Sequence, residues 1–353
     1  MKGLIVAGGT GGHVYPALSV AKDMRNDGTE IYWLGKANSL ESNLAIAEGF
    51  SFIVTNSFGF KGKSFFRKLL ALLYLEINFI KSIFLLIKIK PDFIFSTGGY
   101  ISLAPGLASA FFSIPLFIHE QNSVPGLVNR ILNRFSKLTF EGFPEAFNQN
   151  IKIKSVGNPV RSDISGLDPS EKNNQNDKFS ILILGGSQGS KQLNEIIIKS
   201  ISKKDVPNNW EIVHQIGDLE KSELKDTYLK KSIRFTLLKY IEDMASAYNN
   251  ADIIISRSGA MTVSEICCAS RPSILFPLPW AADNHQYFNA KYLEDKKASI
   301  LLESSIENAD RLFELLKKLE KDDNTRLEMG KNAYKAFPHS STSHIKTLIN
   351  ESI

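Results

Sequence analysis

Cysteine is nearly absent from the chain. There are two in 353 residues, Cys267 and Cys268, and they are neighbours. Neighbouring cysteines cannot build a disulfide framework, and no His or Cys spacing matches a zinc site. Both read as small buried apolar groups, and the lack of disulfides points to a reducing compartment. A strong charge of either sign is missing too: 42 Lys and Arg against 37 Asp and Glu leave a formal charge of +5. That suits a small anionic ligand or an anionic membrane surface, and with no recognisable nucleic-acid motif it gives no nucleic-acid signal. No stretch offers the ~20 mostly apolar residues of a spanning helix. The N-terminus runs straight into an apolar strand, without a signal peptide. Two phosphate-binding fingerprints are also missing. Neither Gly-rich turn follows G-x-G-x-x-G, which disfavours a nicotinamide dehydrogenase, and no Gly-Lys-Ser/Thr forms a phosphate loop. No Asp-x-Asp cluster is placed to hold Mg²⁺.

What is present is ordinary in bulk, 43% hydrophobic and 22% charged, and the length suggests about two domains at ~100–200 residues each. Short apolar runs at strand length alternate with helical segments. They lie at 2–7, 31–34, 52–54, 93–95, 116–118 and 138–140, then at 179–184, 212–214, 234–237, 253–255, 274–276 and 300–302. Such alternation predicts doubly wound parallel sheets. The opening of the chain recurs halfway along. Residues 2–7 end in Gly8-Gly9-Thr10-Gly11-Gly12-His13, with a helix from about Tyr15, and residues 179–184 end in Gly185-Gly186-Ser187-Gln188-Gly189-Ser190. Two Rossmann-like domains facing an interdomain cleft are expected, with a polar surface loop at 168–177 near their boundary. From Asn308 onward the chain reads as helical to its end, broken at Pro338.

The chemistry gathers at strand ends. The run Ile253-Ile254-Ile255 opens into Ser256-Arg257-Ser258-Gly259, and a helix follows over 260–269. A strand's carboxyl end meeting a helix's amino end favours an anion such as a diphosphate. Glu265 lies more than a turn deeper, where a carboxylate can accept two hydrogen bonds from a vicinal diol; the plain alternative is a solvated helix residue. After Pro279 come Asp283, Asn284 and Gln286. Gly, Ser/Thr, Glu and Asn/Gln at adjoining strand ends suit a nucleotide-sugar better than a metal or an acyl group. In the first half, Ser96-Thr97-Gly98-Gly99-Tyr100 and His119-Glu120-Gln121-Asn122 follow two strands, and with His13 they would face one crevice. For His119-Glu120 a hydrogen-bonded loop pair is the plain alternative.

Ser256-Arg-Ser-Gly-Ala-Met-Thr-Val-Ser-Glu265, Asn284-His-Gln-Tyr-Phe-Asn-Ala290 and His119-Glu-Gln-Asn122 together resemble the GT-B glycosyltransferases. Within that class the chain resembles the peptidoglycan enzymes that move N-acetylglucosamine from UDP-GlcNAc to undecaprenyl-diphospho-muramoyl-pentapeptide (lipid I), giving lipid II. The resemblance spans nearly the whole chain. It implies an N-terminal acceptor and membrane-associated domain (1–160) and a C-terminal UDP-GlcNAc-binding domain (161–337). The last residues, 338–353, would form a helix returning to the first domain. It implies that Glu265 holds the ribose, that Ser187 with Met261 and Thr262 serves the diphosphate, and that Ala260, Val263 and Ser264 belong to the UDP-GlcNAc site. Ile241 would pack by its backbone on the uracil, and Gln286 and Asn122 would hold the sugar hydroxyls. Arg161 would lie near the donor, and Thr10, Gly11 and Gly12 would close on the sugar. His285 departs from the family, since some relatives carry glutamine there. The implied reaction is inverting, with no metal and no cofactor, at the cytoplasmic face of the cell membrane during cell-wall synthesis.

Either His13 or Glu120 can be the general base. An imidazole titrates near neutral pH, which suits the task. Alternatives to this reading are a GT-B enzyme with another lipid acceptor, a UDP-GlcNAc epimerase and a plain nucleotide-binding module. Residues 61–90 have the oddest composition. Lys63, Arg67 and Lys68 gather beside Phe65, Phe66 and Leu69, a pairing that suits peripheral attachment to an anionic membrane.

Overall fold

The computed structural model describes residues 1–55, 65–168, 178–186 and 188–353, with the backbone alone for 65–73. The chain divides into two compact units, one of Met1–Arg161 with Pro338–Ile353 and one of Ser162–Phe337.

The first unit is built on seven strands: β1 (Lys2–Val6), β2 (Glu30–Gly35), β3 (Ser51–Val54), β4 (Phe93–Ser96), β5 (Leu116–Glu120), β6 (Leu138–Glu141) and β7 (Ile153–Ser155). They lie in the order β3-β2-β1-β4-β5-β6-β7, every pair parallel. Alternate residues feed two separate cores. Ile5, Phe93, Phe95, Phe117 and Phe140 pack on one face with the helix Gly11–Asn26. Leu4, Val6, Ile94, Leu116 and Ile118 pack on the other, toward the helices Phe65–Ile89 and Leu103–Phe111. A strand covered on both faces must be apolar at every position, which is why these strands read as unbroken apolar runs. No helix among the described residues is long and apolar enough to cross a membrane.

The end of the chain completes this unit. The helix Ser341–Asn350 buries Ile345 and Ile349 in the same core as Met24. Lys346 pairs with Asp23 on the first helix at 3.2 Å and with Asp27 just past its end at 2.8 Å. The returning chain passes so near β7 that a Cβ on Gly157 (φ +80°) would sit 2.6 Å from Ser341 Oγ. Only glycine fits both the backbone angle and the space.

The second unit repeats the plan with β8 (Phe179–Leu184), β9 (Trp210–Gln215), β10 (Arg234–Leu238), β11 (Ile253–Ser256), β12 (Ser273–Leu275) and β13 (Ser299–Leu301). Their order is β10-β9-β8-β11-β12-β13, again all parallel. Trp210, Tyr228, Ile255, Phe276 and Phe313 belong to its main core.

Three local expectations differ from the structure. β7 was not foreseen, since Ile-Lys-Ser carries no apolar run. The first helix begins at Gly11, not near Tyr15, because the Thr10 carbonyl accepts the N–H groups of His13 and Val14 and draws both glycines into the helix. The helical stretch after Asn308 breaks at Asp322, whose carboxylate caps a new helix through Thr325 N–H and Oγ1 at 2.9 and 2.7 Å.

Each unit also buries one neutral histidine, and this makes stability depend on pH. His119 sits in β5 and His214 in β9; both are fully buried. Burial pushes His119 down to about 4, against weaker opposing pulls from the Gly157 carbonyl and Glu120, and pushes His214 down to about 3. Unfolded histidine titrates near 6.5, so below that pH the unfolded chain binds the extra proton. The stabilisation is full above about pH 6.5 and falls by about 1.4 kcal/mol per pH unit per histidine, down to about pH 4. Urea midpoints at several pH values between about 7 and 4.5 should fall accordingly. In a His214→Phe variant the slope contributed by the second unit should vanish. Equal midpoints across the range would contradict the assignment.

Candidate functional site

In both sheets the strand order reverses beside the first strand, between β1 and β4 and between β8 and β11. Open parallel sheets bind ligands outside their carboxyl ends at such points. The polar strings of the sequence sit there, in each unit.

In the first unit three strand ends converge on one histidine. Thr10 is the exposed N-cap after β1, Gly11 and Gly12 open the helix, and His13 stands in its first turn. The His13 carbonyl accepts the Thr97 hydroxyl, just past β4, at 2.9 Å. Its Nδ1 lies 2.8 Å from Gln121 Oε1, just past β5. Gln121 is buried, and its Nε2 lies 2.9 Å from the His119 carbonyl and 3.0 Å from His119 Nδ1. His119 Nε2 lies 3.0 Å from the Gly157 carbonyl.

Glu120 is placed differently. It is 2% exposed, and its carboxylate accepts four hydrogen bonds. Oε1 takes the N–H and Nδ2 of Asn122 at 3.0 and 3.2 Å. Oε2 takes Gly126 N–H at 3.0 Å and Asn129 Nδ2 at 2.9 Å. The carboxylate organises the loop that carries the half-buried Asn122. Arg161, the last residue of this unit's first segment, lays its guanidinium 5.5 Å from the ring centre of Tyr15.

In the second unit Ser187 lies outside the described residues, but the turn around it is closely set. A Cβ on Gly189 (φ +77°) would fall 1.9 Å from the Ile216 carbonyl oxygen, so the turn packs backbone on backbone. Gln215, at the end of β9, donates from Nε2 to the Gly186 carbonyl at 3.1 Å and accepts Ile241 N–H at 3.1 Å. One amide thus ties the Gly-rich turn to the segment after β10. Asp243 caps the next helix through Ser246 N–H at 2.9 Å.

The helix Ala260–Cys268 starts from Gly259 with no side-chain cap. Its ladder begins with Val263 N–H to the Gly259 carbonyl at 3.0 Å. The N–H groups of Ala260, Met261 and Thr262 precede that ladder, as the opening N–H groups of any helix do. Val263 and Ser264, expected among the ligand contacts, face inward: Val263 is fully buried and Ser264 Oγ donates to the Ala260 carbonyl at 2.9 Å. They support the helix. Glu265, half-buried, accepts the Tyr248 hydroxyl on Oε2 at 2.9 Å. Gln286 Oε1 accepts Leu278 N–H at 3.0 Å, and its carbonyl accepts Ser258 Oγ at 2.8 Å. His285 Nδ1 lies 2.7 Å from the Ala282 carbonyl. Beside this segment lies a cavity of about 320 Å³ lined by Pro277, Pro279, Asn284, Tyr287, Glu303 and Ser304 among others.

Sequence reasoning missed Gln121, Gln215, Tyr248 and Arg257. Arg257 is 8% exposed and donates to Ser190 Oγ (3.0 and 2.7 Å), Gln192 Oε1 (3.1 Å), the Phe276 carbonyl (3.1 Å) and Ser304 Oγ. These partners are all neutral, and burial pushes the guanidinium down to about 10. Gln121 and Arg257 stand inside strings already singled out. Gln215 and Tyr248 are single polar groups in otherwise unmarked segments and leave no sequence signal. Among the described residues, no group of three or more His, Cys, Asp or Glu is arranged to hold a metal ion.

Comparison with known proteins covers both units. Residues 4–140 match the glycosyltransferase family 28 N-terminal domain, and residues 180–348 match the family 28 C-terminal domain. A relative from Francisella tularensis subsp. tularensis is 40% identical over 97% of this chain and 95% of its own length. One from Shewanella frigidimarina is 37% identical over 94% and 91%. Both are named UDP-N-acetylglucosamine--N-acetylmuramyl-(pentapeptide) pyrophosphoryl-undecaprenol N-acetylglucosamine transferase. The crystal structure of Acinetobacter baumannii MurG superposes with a TM-score of 0.83 at 32% identity, covering 99% of each chain.

Proposed function

Since the chain belongs to glycosyltransferase family 28, we infer that it transfers N-acetylglucosamine from UDP-GlcNAc to the C4 hydroxyl of undecaprenyl-diphospho-N-acetylmuramoyl-pentapeptide, forming lipid II and UDP in peptidoglycan synthesis. The observation that carries this is 40% identity maintained over 97% of the chain.

The reaction is an inverting displacement. The muramoyl hydroxyl attacks the anomeric carbon, the bond to the diphosphate breaks, and the hydroxyl proton passes to a base. The second unit serves the donor. The N–H groups opening the helix Ala260–Cys268, with Ser187 and its turn, receive the diphosphate, whose charge grows as it leaves. Glu265 takes the ribose diol and is steadied by Tyr248. Ile241 sets its backbone against the uracil, held in place by Gln215. Gln286 and Asn122 take sugar hydroxyls, Thr10, Gly11 and Gly12 serve the transferred sugar, and Arg161 serves the donor.

His13 is the base in this reading. Glu120 already accepts four hydrogen bonds inside the protein, so protonating it would dismantle the loop it holds. His13 is half-buried and has one ring nitrogen committed to Gln121.

The full chain incubated with labelled UDP-GlcNAc and a lipid I analogue should yield the labelled disaccharide lipid and UDP. Conversion of UDP-GlcNAc without acceptor would indicate an epimerase, and no turnover of either a binding module. In the same assay His13→Ala should lower kcat by ~10²–10⁴-fold, the range of a positioned base, with donor affinity little changed. Near-full kcat at saturating acceptor would place the base elsewhere.

Glu265→Ala should weaken UDP-GlcNAc by about 1.5–3 kcal/mol per lost charge-assisted hydrogen bond, leaving acceptor binding alone. Equal donor affinities by calorimetry would remove Glu265 from the ribose site.

The acceptor's polyprenyl tail requires the first unit to work at the cytoplasmic face of the membrane. Lys63 lies outside the described residues, and for Phe65, Phe66, Arg67, Lys68 and Leu69 only the helical backbone is described. Farther along that helix Ile77, Ile80, Phe84 and Ile87 are exposed at spacings of one helical face. Beside it, Phe79, Leu107, Ala110, Phe111 and Phe135 line an apolar cavity of about 460 Å³. Phe111 is 74% exposed, and Lys81, Lys88, Arg130 and Arg134 are exposed nearby in sequence. Exposed apolar groups with exposed cations near them in sequence suit an anionic bilayer, where each cation is worth ~1 kcal/mol. Vesicles rich in anionic lipid should sediment the protein, less so as salt rises and less again for a Lys63/Arg67/Lys68→Glu variant. Salt-independent binding, or none, would count against this surface.

A further inference from the structure

We propose that Gln121 is a positioning residue that fixes the tautomer of His13, so that Nδ1 carries the hydrogen and Nε2 presents the lone pair that accepts the acceptor hydroxyl's proton. The proposal rests on the reading of His13 as the base.

The assignment starts from two main-chain carbonyls, which can only accept. Gln121 Nε2 lies 2.9 Å from the carbonyl oxygen of His119. A flipped amide would set oxygen against oxygen there, so the nitrogen must face that carbonyl. Gln121 Oε1 then faces His13 Nδ1 at 2.8 Å. An amide oxygen has no hydrogen to give, so Nδ1 must be the donor. In a neutral imidazole the other nitrogen, Nε2, is then the acceptor.

The second carbonyl closes the chain from the far side. His119 Nε2 lies 3.0 Å from the Gly157 carbonyl oxygen, so it carries the hydrogen. His119 is fully buried, and burial keeps it neutral well below pH 7. Its Nδ1 is therefore a lone pair, and it meets the second hydrogen of the Gln121 amide at 3.0 Å. Every donor in the series has one acceptor, and no other arrangement satisfies both carbonyls. Gln121 is 1% exposed, so water does not compete for its amide. The backbone of His13 is held independently by Thr97.

The series orients the base and carries no proton. The amide neither gains nor loses a hydrogen, so when Nε2 takes the hydroxyl proton, Nδ1 keeps its own and the bond to Gln121 persists. This differs from a histidine backed by a carboxylate, where the partner adds a negative charge beside the developing imidazolium.

The tautomer can be read directly. In full-length protein labelled with ¹⁵N-histidine, two-bond ¹H–¹⁵N spectra at about pH 8 report which ring nitrogen is protonated, with His13 assigned by its loss in His13→Asn. The expected wild-type result is a protonated Nδ1 and a bare Nε2. In Gln121→Met, of similar volume but without the amide, His13 should move toward the Nε2–H form. Its kcat should fall by roughly tenfold or more, up to the ~10²–10⁴-fold a base supplies, while donor KM stays within about twofold. Gln121→Glu keeps an oxygen facing Nδ1 but sets its other oxygen against the His119 carbonyl, so it should retain the wild-type tautomer and more of the rate than Gln121→Met at a cost in thermal stability. Thermal unfolding of both variants separates these effects from loss of fold. A wild-type Nε2–H form, or an unchanged His13 spectrum in a folded Gln121→Met, overturns the proposal. A tautomer shift with unchanged kcat upholds the hydrogen-bond series and overturns His13 as the base.

Discussion

A parallel strand with helices on both faces keeps most of its polar side chains near where it ends. In the first unit β1, β4 and β5 feed alternate residues into two apolar cores, and the functional groups are pushed to the turns that follow. His13, Thr97 and Gln121 come from three such turns and meet because their strands are adjacent in the sheet. The same constraint in the second unit brings Gln215, Arg257 and the start of the helix Ala260–Cys268 to one sheet edge. In the proposed reading, nucleotide recognition and base catalysis are two uses of one architectural rule.

The two edges differ in how they handle charge. Around His13 the supporting groups are neutral: an amide, a buried imidazole and a peptide carbonyl. The nearby carboxylate of Glu120 is directed into its own loop. In the second unit Arg257 is buried among hydroxyls, an amide and carbonyls. Among the described residues its charge meets no carboxylate in these contacts, and it sits against Ser190 at the close of the Gly-rich turn. A buried cation held this way costs desolvation. The uncapped helix start beside it has the same polarity.

Most of the fold was legible because its strands are covered on both sides. Runs such as Ile253-Ile254-Ile255 or Phe93-Ile94-Phe95 have no competing reading once glycine turns bound them. β7 was invisible because an edge strand of three residues, one of them lysine, needs no apolar pattern. The break at Asp322 was missed because a cap costs one residue and leaves the helical period nearly intact. For the site, strand ends could be found from composition, but the direction of a side chain could not. Val263 and Ser264 belong to the same string as Met261 and Glu265, and only the helical rotation separates inward from outward. Gln121 was part of a string already singled out, yet its meaning depends on which atoms stand opposite it, and sequence does not contain that.

The return of Pro338–Ile353 to the first unit has a consequence for biosynthesis. A ribosome releases Met1–Arg161 first, but the core that surrounds Met24 still lacks Ile345 and Ile349 at that point. The second unit, Ser162–Phe337, is contiguous and has all its residues before the helix Ser341–Asn350 appears. Domains generally fold as units during synthesis. The vectorial order is therefore inverted for this chain: the portion begun first is finished last. Until then the apolar side of the helix Gly11–Asn26 that Ile345 and Ile349 will cover stays open in the nascent protein.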